Sequence, residues 1–423
     1  MRYWSERKRK ILMLFNKKII VIFTFLLLNM AITLKSRPLN IIFVVEYFPA
    51  RSQIFILNMM TGLIDNGHNV SIFSISKGDN EEQHPNVEKY SLLDRVFYEE
   101  WPTVLPECDI LFCQSGSLGN KLFRFPALKE WLEDKKIVVC LRGHDITSNN
   151  VKYDKERYTY LFQKGDLFLP VCDYFKQLLI KLDCNPEKIV VHHSAINCSQ
   201  FFFKERKKPQ EGLIRFVSVC RLIEKKGMRY AIKAIAKVIK KYKNIHFTII
   251  GDGPLKKELK KLIKKRKIRN HVTLFGWATH DQIVNILDQS HIFLLPSITA
   301  ENGDEEGIAN ALKEAMAMGL PIVSSDAGGL KDILNLESGV FVRQLVGAPL
   351  RQRFSPDEVA DAIGSVVADR DRYHRMSQRN RGFVEERLSA AKVAARLEVI
   401  YTDVLASRTV MPSDAPEALE IRT

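Results

Sequence analysis

The sequence predicts an α/β protein built as two tandem, Rossmann-like, doubly wound domains that face a central crevice. Three observations carry this prediction. The chain has 423 residues, more than one compact core accommodates, so two domains are the default. Short apolar strand runs alternate with amphipathic helical stretches, the pattern of a parallel sheet. The alternation breaks once, at the charged stretch FKERKKPQEGLIR (Phe203–Arg215), and then restarts. The expected organisation is a basic and hydrophobic segment over residues 1–38, a first domain over 39–205 and a second over 206–385. A C-terminal helix (386–406) is expected to pack back on the first domain, ahead of a polar tail (407–423).

The elements follow in order. LNIIFVVEYFP (Leu39–Pro49) reads as a buried strand, and QIFILNMMTGLIDNGHNV as an amphipathic helix ending at Asn66-Gly67. VSIFSI, Asp109–Cys113, Lys136–Gly143, Leu167–Cys172 and Lys188–Ser194 read as further strands. The second series opens with the strand Arg215–Cys220 and a helix from about Gly227. Ile245–Pro254 is a strand ending in a Gly-rich turn. A basic helix, VTLFG, His291–Ser297, a helix starting near Ile308, Pro321–Ser325 and Gly339–Arg343 complete the series. Beyond about residue 345, lysine is confined to Lys392, while helical periodicity continues to about residue 406.

The net charge of +15 calls for an acidic partner: nucleic acid, an anionic membrane surface or a phosphate-bearing small molecule. Much of the excess lies in KKELKKLIKKRKIR (Lys256–Arg269), where Leu259, Leu262 and Ile263 repeat at helical spacing. The plain reading is a helix with one buried side and a solvated basic face; a peripheral membrane surface is the sharper one. Nucleic acid is disfavoured, because no aromatic interleaving or zinc spacing accompanies the charge. Seven scattered cysteines without a C-x-x-C pair fit free thiols in a reducing cytoplasm.

Ile19–Leu34 is apolar but, at sixteen residues, shorter than the roughly 20 that span a bilayer. Seven Lys/Arg precede it and two follow, so the positive-inside rule would send the rest of the chain outward. That conflicts with the free cysteines. The segment reads as a short anchor, a signal-like stretch or residues upstream of a start at Met30, with the last preferred.

Chemistry concentrates in the second domain. IIGDGP places Gly251 and Gly253 where a strand turns toward a helix, letting backbone N–H groups approach a ligand. It lacks the full G-x-G-x-x-G pattern, which disfavours a dinucleotide cofactor. CRLIEKKG sets Arg221 just after a strand and Lys226 five residues on, two cations suited to a diphosphate. In GDEEGIANALKEAMAMGLP (Gly303–Pro321), Asp304 and Glu305 read as charges offsetting the helix dipole. Glu314 lies two turns inside that helix, where a carboxylate needs a polar partner. A ribose diol is one, accepted in bidentate fashion, and Glu306 at the loop edge would hold hydroxyls of a second ring. The single D-x-D, Asp369-Arg370-Asp371, falls in a helical surface run.

GDEEGIANALKEAMAMGLPIVSSDAGGL resembles the E-x7-E region of the retaining family 4 glycosyltransferases, and within them the colanic-acid and exopolysaccharide group. CRLIEKKG is similar to the family's G-R-L…K-G element, with Cys220 in place of the first Gly. IIGDGP, FGW and FLLPS fit in order and spacing. FPARSQIFI resembles the FP…SETFI loop, with Gln53 where the family has Glu, and GHNVSIF resembles its GH-x-V strand. The resemblance covers about residues 39 to 405. In CLRGHDIT, Arg142 stands at the family's His position, His144 at the variable one, and Asp145 matches.

The resemblance implies a GT-B fold, with the acceptor in the first domain and the nucleotide sugar in the second. It implies that Arg221 and Lys226 hold the diphosphate and stabilise the leaving group. Glu306 would hold the donor sugar with backbone N–H groups from Gly307 and Ile308, and Glu314 the ribose. Arg142 and His144 both stay open as the acceptor-side polar group, beside Asp145. No metal and no cofactor are implied. The donor, most often a UDP-sugar in this family, is a co-substrate, and the acceptor is a lipid-linked glycan at the inner face of the plasma membrane. Alternatives are a sugar phosphorylase or nucleotide-sugar epimerase on the same fold, or a non-catalytic sugar-nucleotide-binding subunit.

Overall fold

The computed structural model describes residues 37–50, 53–78, 84–98, 106–205, 212–334, 339–342 and 355–406. The membrane-or-signal reading of residues 1–36, the linker at 206–211 and the tail from 407 lie outside the described residues.

Two six-stranded parallel sheets form. The first contains β1 (Asn40–Phe48), β2 (Asn69–Lys77), β3 (Val96–Tyr98), β4 (Ile110–Cys113), β5 (Lys136–Leu141) and β6 (Leu167–Pro170) in the order β3-β2-β1-β4-β5-β6. The second contains β7 (Ile214–Val219), β8 (Ile245–Ile250), β9 (Val272–Gly276), β10 (Ile292–Leu295), β11 (Ile322–Ser325) and β12 (Gly339–Val342) in the order β12-β11-β10-β7-β8-β9. These strands are short and apolar because helices cover both faces, so no polar alternation is needed. Ile41 to Val45 of β1 and Ile292 to Leu295 of β10 are all nearly inaccessible. Each sheet reverses its order beside its first strand, and the crevice outside that point is where such sheets bind ligands.

Two sequence expectations are corrected here. Lys188–Ser194 does not form a strand; it makes one isolated bridge, Phe168 with Ile189. The N–H groups of Val190 and His192 do donate to Phe168 and Pro170. The return bond from Val190 fails because Pro170 has no N–H. The helix expected near Ile308 begins later, as α6 (Asn310–Ala317), since Ala309 is still extended.

Six other helices matter below: α1 (Ile54–Asp65), the single turns α2 (His144–Thr147) and α3 (Asn149–Lys152), α4 (Met228–Lys241), α5 (Lys256–Arg266) and α7 (Arg370–Arg387). In α5, Leu259 and Ile263 are buried and most of the lysines are exposed. Asp369 of the D-x-D caps α7, its carboxylate accepting from the Arg372 N–H at 2.8 Å. The last helix, α8 (Ala390–Ala406), buries Val393, Leu397 and Tyr401. It packs against α1: a Cβ added at Gly62 would lie 2.8 Å from the Ala394 Cβ. The Asn66 amide also donates to Glu398 at 3.1 Å. Where the chain passes between domains, the Ile196 N–H donates to the Leu388 carbonyl at 2.8 Å and the Ala390 N–H to the Ile196 carbonyl at 2.9 Å.

Candidate active site

A cleft of about 1530 Å³ opens between the carboxyl ends of the two sheets. Its walls contain Arg142, His144, Asp145, Arg221, Lys226, Gly251, Glu306, Ile308 and Glu314. Gly253 and Gly307 do not line it. Gly253 is pressed against Leu222, and Gly307 is enclosed by Val171, Phe175 and the Arg142 carbonyl.

The second-domain wall is built by close approach of strand ends. Cys220 and Arg221 leave β7 beside Gly251, whose φ is +127° and whose added Cβ would lie 2.0 Å from the Cys220 carbonyl oxygen. Only glycine permits that separation. Arg221 is exposed toward the cleft. Lys226 is buried and donates to Glu306, itself 7% exposed. Burial opposes the Glu306 charge, but Lys226, with Lys225 and Arg221 near it, holds the carboxyl below its ordinary value. Lys226 is therefore engaged by an internal carboxylate in this structure, not waiting open for a diphosphate.

Glu314 behaves differently. It is partly buried on α6, and no hydrogen bond or ion pair reaches its carboxylate among the described residues. Burial pushes its carboxyl up to about 7, opposed by Lys313. A carboxylate turned to a cleft without a protein partner is a hydrogen-bond acceptor awaiting a ligand.

The acidic triplet separates into three destinations, which corrects the reading of Asp304 and Glu305 as helix-start charges. They precede α6 by six and five positions, beyond the reach of its dipole. Asp304 accepts from Lys225 at 3.0 Å and from Thr147 of α2 at 3.2 Å. Glu305 accepts from Tyr174 and from Thr299, the latter at 2.6 Å, while its N–H donates to the Thr147 hydroxyl at 3.1 Å. The Asn149 N–H at the start of α3 donates to the Asn302 carbonyl at 2.8 Å. The loop 299–306 thus fastens the second domain to α2 and α3 of the first.

On the first-domain wall the open choice narrows. Asp145 accepts from the backbone N–H groups of Arg142, Gly143 and Gly116 at 3.2, 2.9 and 3.2 Å. With three main-chain N–H groups on its oxygens, it shapes the turn at the cleft wall. His144 is exposed at the cleft lip. Arg142 lies deeper, its guanidinium 3.8 Å from the Phe55 ring centre and donating to the Ser194 hydroxyl at 2.9 Å. Sequence reasoning missed Lys313, which is fully buried and donates to the Ser194 carbonyl at 2.7 Å. Nothing in NALKEAMA distinguishes it from a solvated helix lysine.

Two facing parallel sheets with their ligand cleft at the carboxyl ends define the GT-B class of two-domain proteins. Solved structures agree on the fold. Anabaena HepE, crystallised with UDP, aligns with a TM-score of 0.69 at 14% identity, over 86% of this chain and 99% of that one. Sucrose-phosphate synthase from Thermosynechococcus elongatus aligns with a TM-score of 0.67 at 15% identity, over 87% and 99%. Among sequence relatives, the amylovoran biosynthesis glycosyltransferase AmsK of Erwinia amylovora is 31% identical over 70% of this chain and 84% of its own. The colanic acid biosynthesis glycosyltransferase WcaL of Escherichia coli K12 is 29% identical over 75% and 91%. Residues 199–383 match the family of glycosyl transferases group 1. The chain belongs to that family and is a glycosyltransferase.

Proposed function

We propose that this glycosyltransferase moves a sugar from a nucleoside-diphosphate donor, a UDP-sugar by preference, to a lipid-linked glycan during synthesis of an exopolysaccharide. The supporting observation is the unpartnered Glu314 carboxylate in the same cleft as Arg221, Lys226 and Glu306. In this reading Glu314 accepts the ribose diol. Arg221 and Lys226 take the diphosphate, and Glu306, released from Lys226, takes hydroxyls of the transferred sugar.

The transfer is retaining and independent of a metal. The bond from the anomeric carbon to the leaving phosphate oxygen breaks as the acceptor oxygen approaches on the same face. The acceptor proton passes to that departing oxygen, while Arg221 and Lys226 offset the developing charge. The protein works at the inner membrane face, where the exposed lysines of α5 meet anionic lipid. No helix among the described residues is long and apolar enough to cross a membrane, so contact through that surface would be peripheral.

Calorimetry with UDP and turnover with UDP-sugars test the reading. Glu314→Gln and Arg221→Ala should each weaken UDP binding about tenfold or more, near 1.4 kcal/mol. Unaltered UDP affinity in Glu314→Gln removes the ribose assignment. Release of UDP that does not depend on added acceptor would point instead to a phosphorylase or an epimerase.

A further inference from the structure

The first-domain wall holds a buried guanidinium, Arg142, whose charged neighbour Asp145 gives its oxygens to the main chain. Arg142 makes no ion pair among the described residues, and its buried Nε has no hydrogen-bond partner. Its neighbours are the Phe55 ring, the Ser194 hydroxyl, the Met59 sulfur and the Cys140 thiol. Asp145, on the same turn, is held by three backbone N–H groups. The carbonyl of the same Ser194 accepts from Lys313, which burial and then Arg142 push down to about 7 against the opposing charge of Glu314. The nearby His192 is kept neutral, at about 3, by burial. A second unsatisfied group shares the wall: Gln53 is 8% exposed, lines the cleft beside Phe55, and its buried amide oxygen has no partner.

Buried arginines without a carboxylate are costly, and a planar guanidinium stacked on an aromatic ring is preorganised for a bidentate anion. The neighbouring amide supplies what an adjacent hydroxyl requires, an acceptor and a donor. We infer that Arg142 and Gln53 form a subsite for an acidic sugar, with Arg142 receiving its carboxylate and Gln53 an adjoining hydroxyl. The inference rests on the glycosyltransferase reading of the cleft and adds the chemical class of one substrate. The acidic sugar is either the one transferred or the one that accepts it.

Two arms distinguish these sources. In the donor arm, kcat/KM is compared for UDP-glucuronate and UDP-glucose. In the acceptor arm, octyl glucuronide and octyl glucoside are compared as acceptors and as inhibitors. The wild-type enzyme should favour the acidic member in one arm by about tenfold or more. Arg142→Gln should collapse that ratio. Gln53→Glu should do the same by putting a like charge into the cleft wall that receives the acidic sugar, and it leaves the buried Arg142 in place if the first variant folds poorly. A wild-type ratio near one in both arms, or a ratio that survives Arg142→Gln, overturns the inference. UDP binding by calorimetry separates the two failures. UDP bound with a flat ratio removes the acidic subsite alone, whereas no UDP binding removes the donor reading and this subsite with it.

Discussion

Glu314 shows how one side chain couples pH to ligand. Its carboxyl sits at about 7 rather than its ordinary 4.5, because burial disfavours the charge. The ionised form is the one that accepts a diol, so donor KM should fall as pH rises from about 6 to about 8, and Glu314→Gln should flatten that profile. The same shift has a stability sign. Between 4.5 and about 7 the folded protein holds the proton more tightly than the unfolded chain. Stability contributed by this site is therefore present at low pH and lost as pH rises through that window. Melting curves of Glu314→Gln and wild type should diverge, the variant gaining relative stability between about pH 5 and about pH 7.

At the scale of elements, the turn from Lys226 into α4 and the loop 299–306 carry the site. Gly227 has φ of +67°, and a Cβ there would lie 1.7 Å from the Pro296 carbonyl oxygen. Gly227→Ala adds about 1–2 kcal/mol of left-handed backbone cost to that collision. It should lower the melting temperature by several degrees and reduce UDP affinity by displacing Lys226. Thr147 accepts from the Glu305 N–H, and its one hydroxyl proton is shared between the Gly143 carbonyl at 3.0 Å and Asp304 at 3.2 Å, so Thr147→Val leaves the buried Glu305 N–H short of a partner at a cost of about 1–3 kcal/mol. Its melting temperature should fall and its donor KM rise.

Much of this level was legible in the sequence. The strand–turn positions of Arg221 and Gly251 and the spacing of Glu306 and Glu314 follow from local pattern alone. The destinations of Asp304 and Glu305 on the first domain were not legible, because Thr147 and Tyr174 lie more than a hundred residues away and carry no shared signal. Lys313 was missed for the same reason: its partner, Ser194, is contributed by the other domain. The false strand at Lys188–Ser194 failed on a neighbour's chemistry, the missing N–H of Pro170, which no property of that segment reveals.

At the scale of the whole molecule, α8 is an element whose sequence position and spatial position disagree. It follows the second domain and packs on the first. Leu397 is fully buried, and Leu397→Ala should cost about 2–5 kcal/mol as a cavity left in a packed interior. If α8 belongs energetically to the first domain, that loss should appear in thermal unfolding as a destabilised first domain with UDP still able to protect the second. A UDP-induced shift that disappears in Leu397→Ala would mean the two domains unfold as one.

The return of α8 has a mechanical meaning. The backbone passes between the domains near Ile196 on the way out and near Ser389 on the way back, and those two passages are bonded to each other. Two bodies joined by one strand can twist, slide and swing. Joined by two strands tied at a single point, they keep mainly the swing. The loop 299–306 grips from elsewhere on the interface, so the pivot and the latch are separate parts. Weakening the latch should change how often the cleft opens, whereas weakening the pivot should change the direction in which it opens.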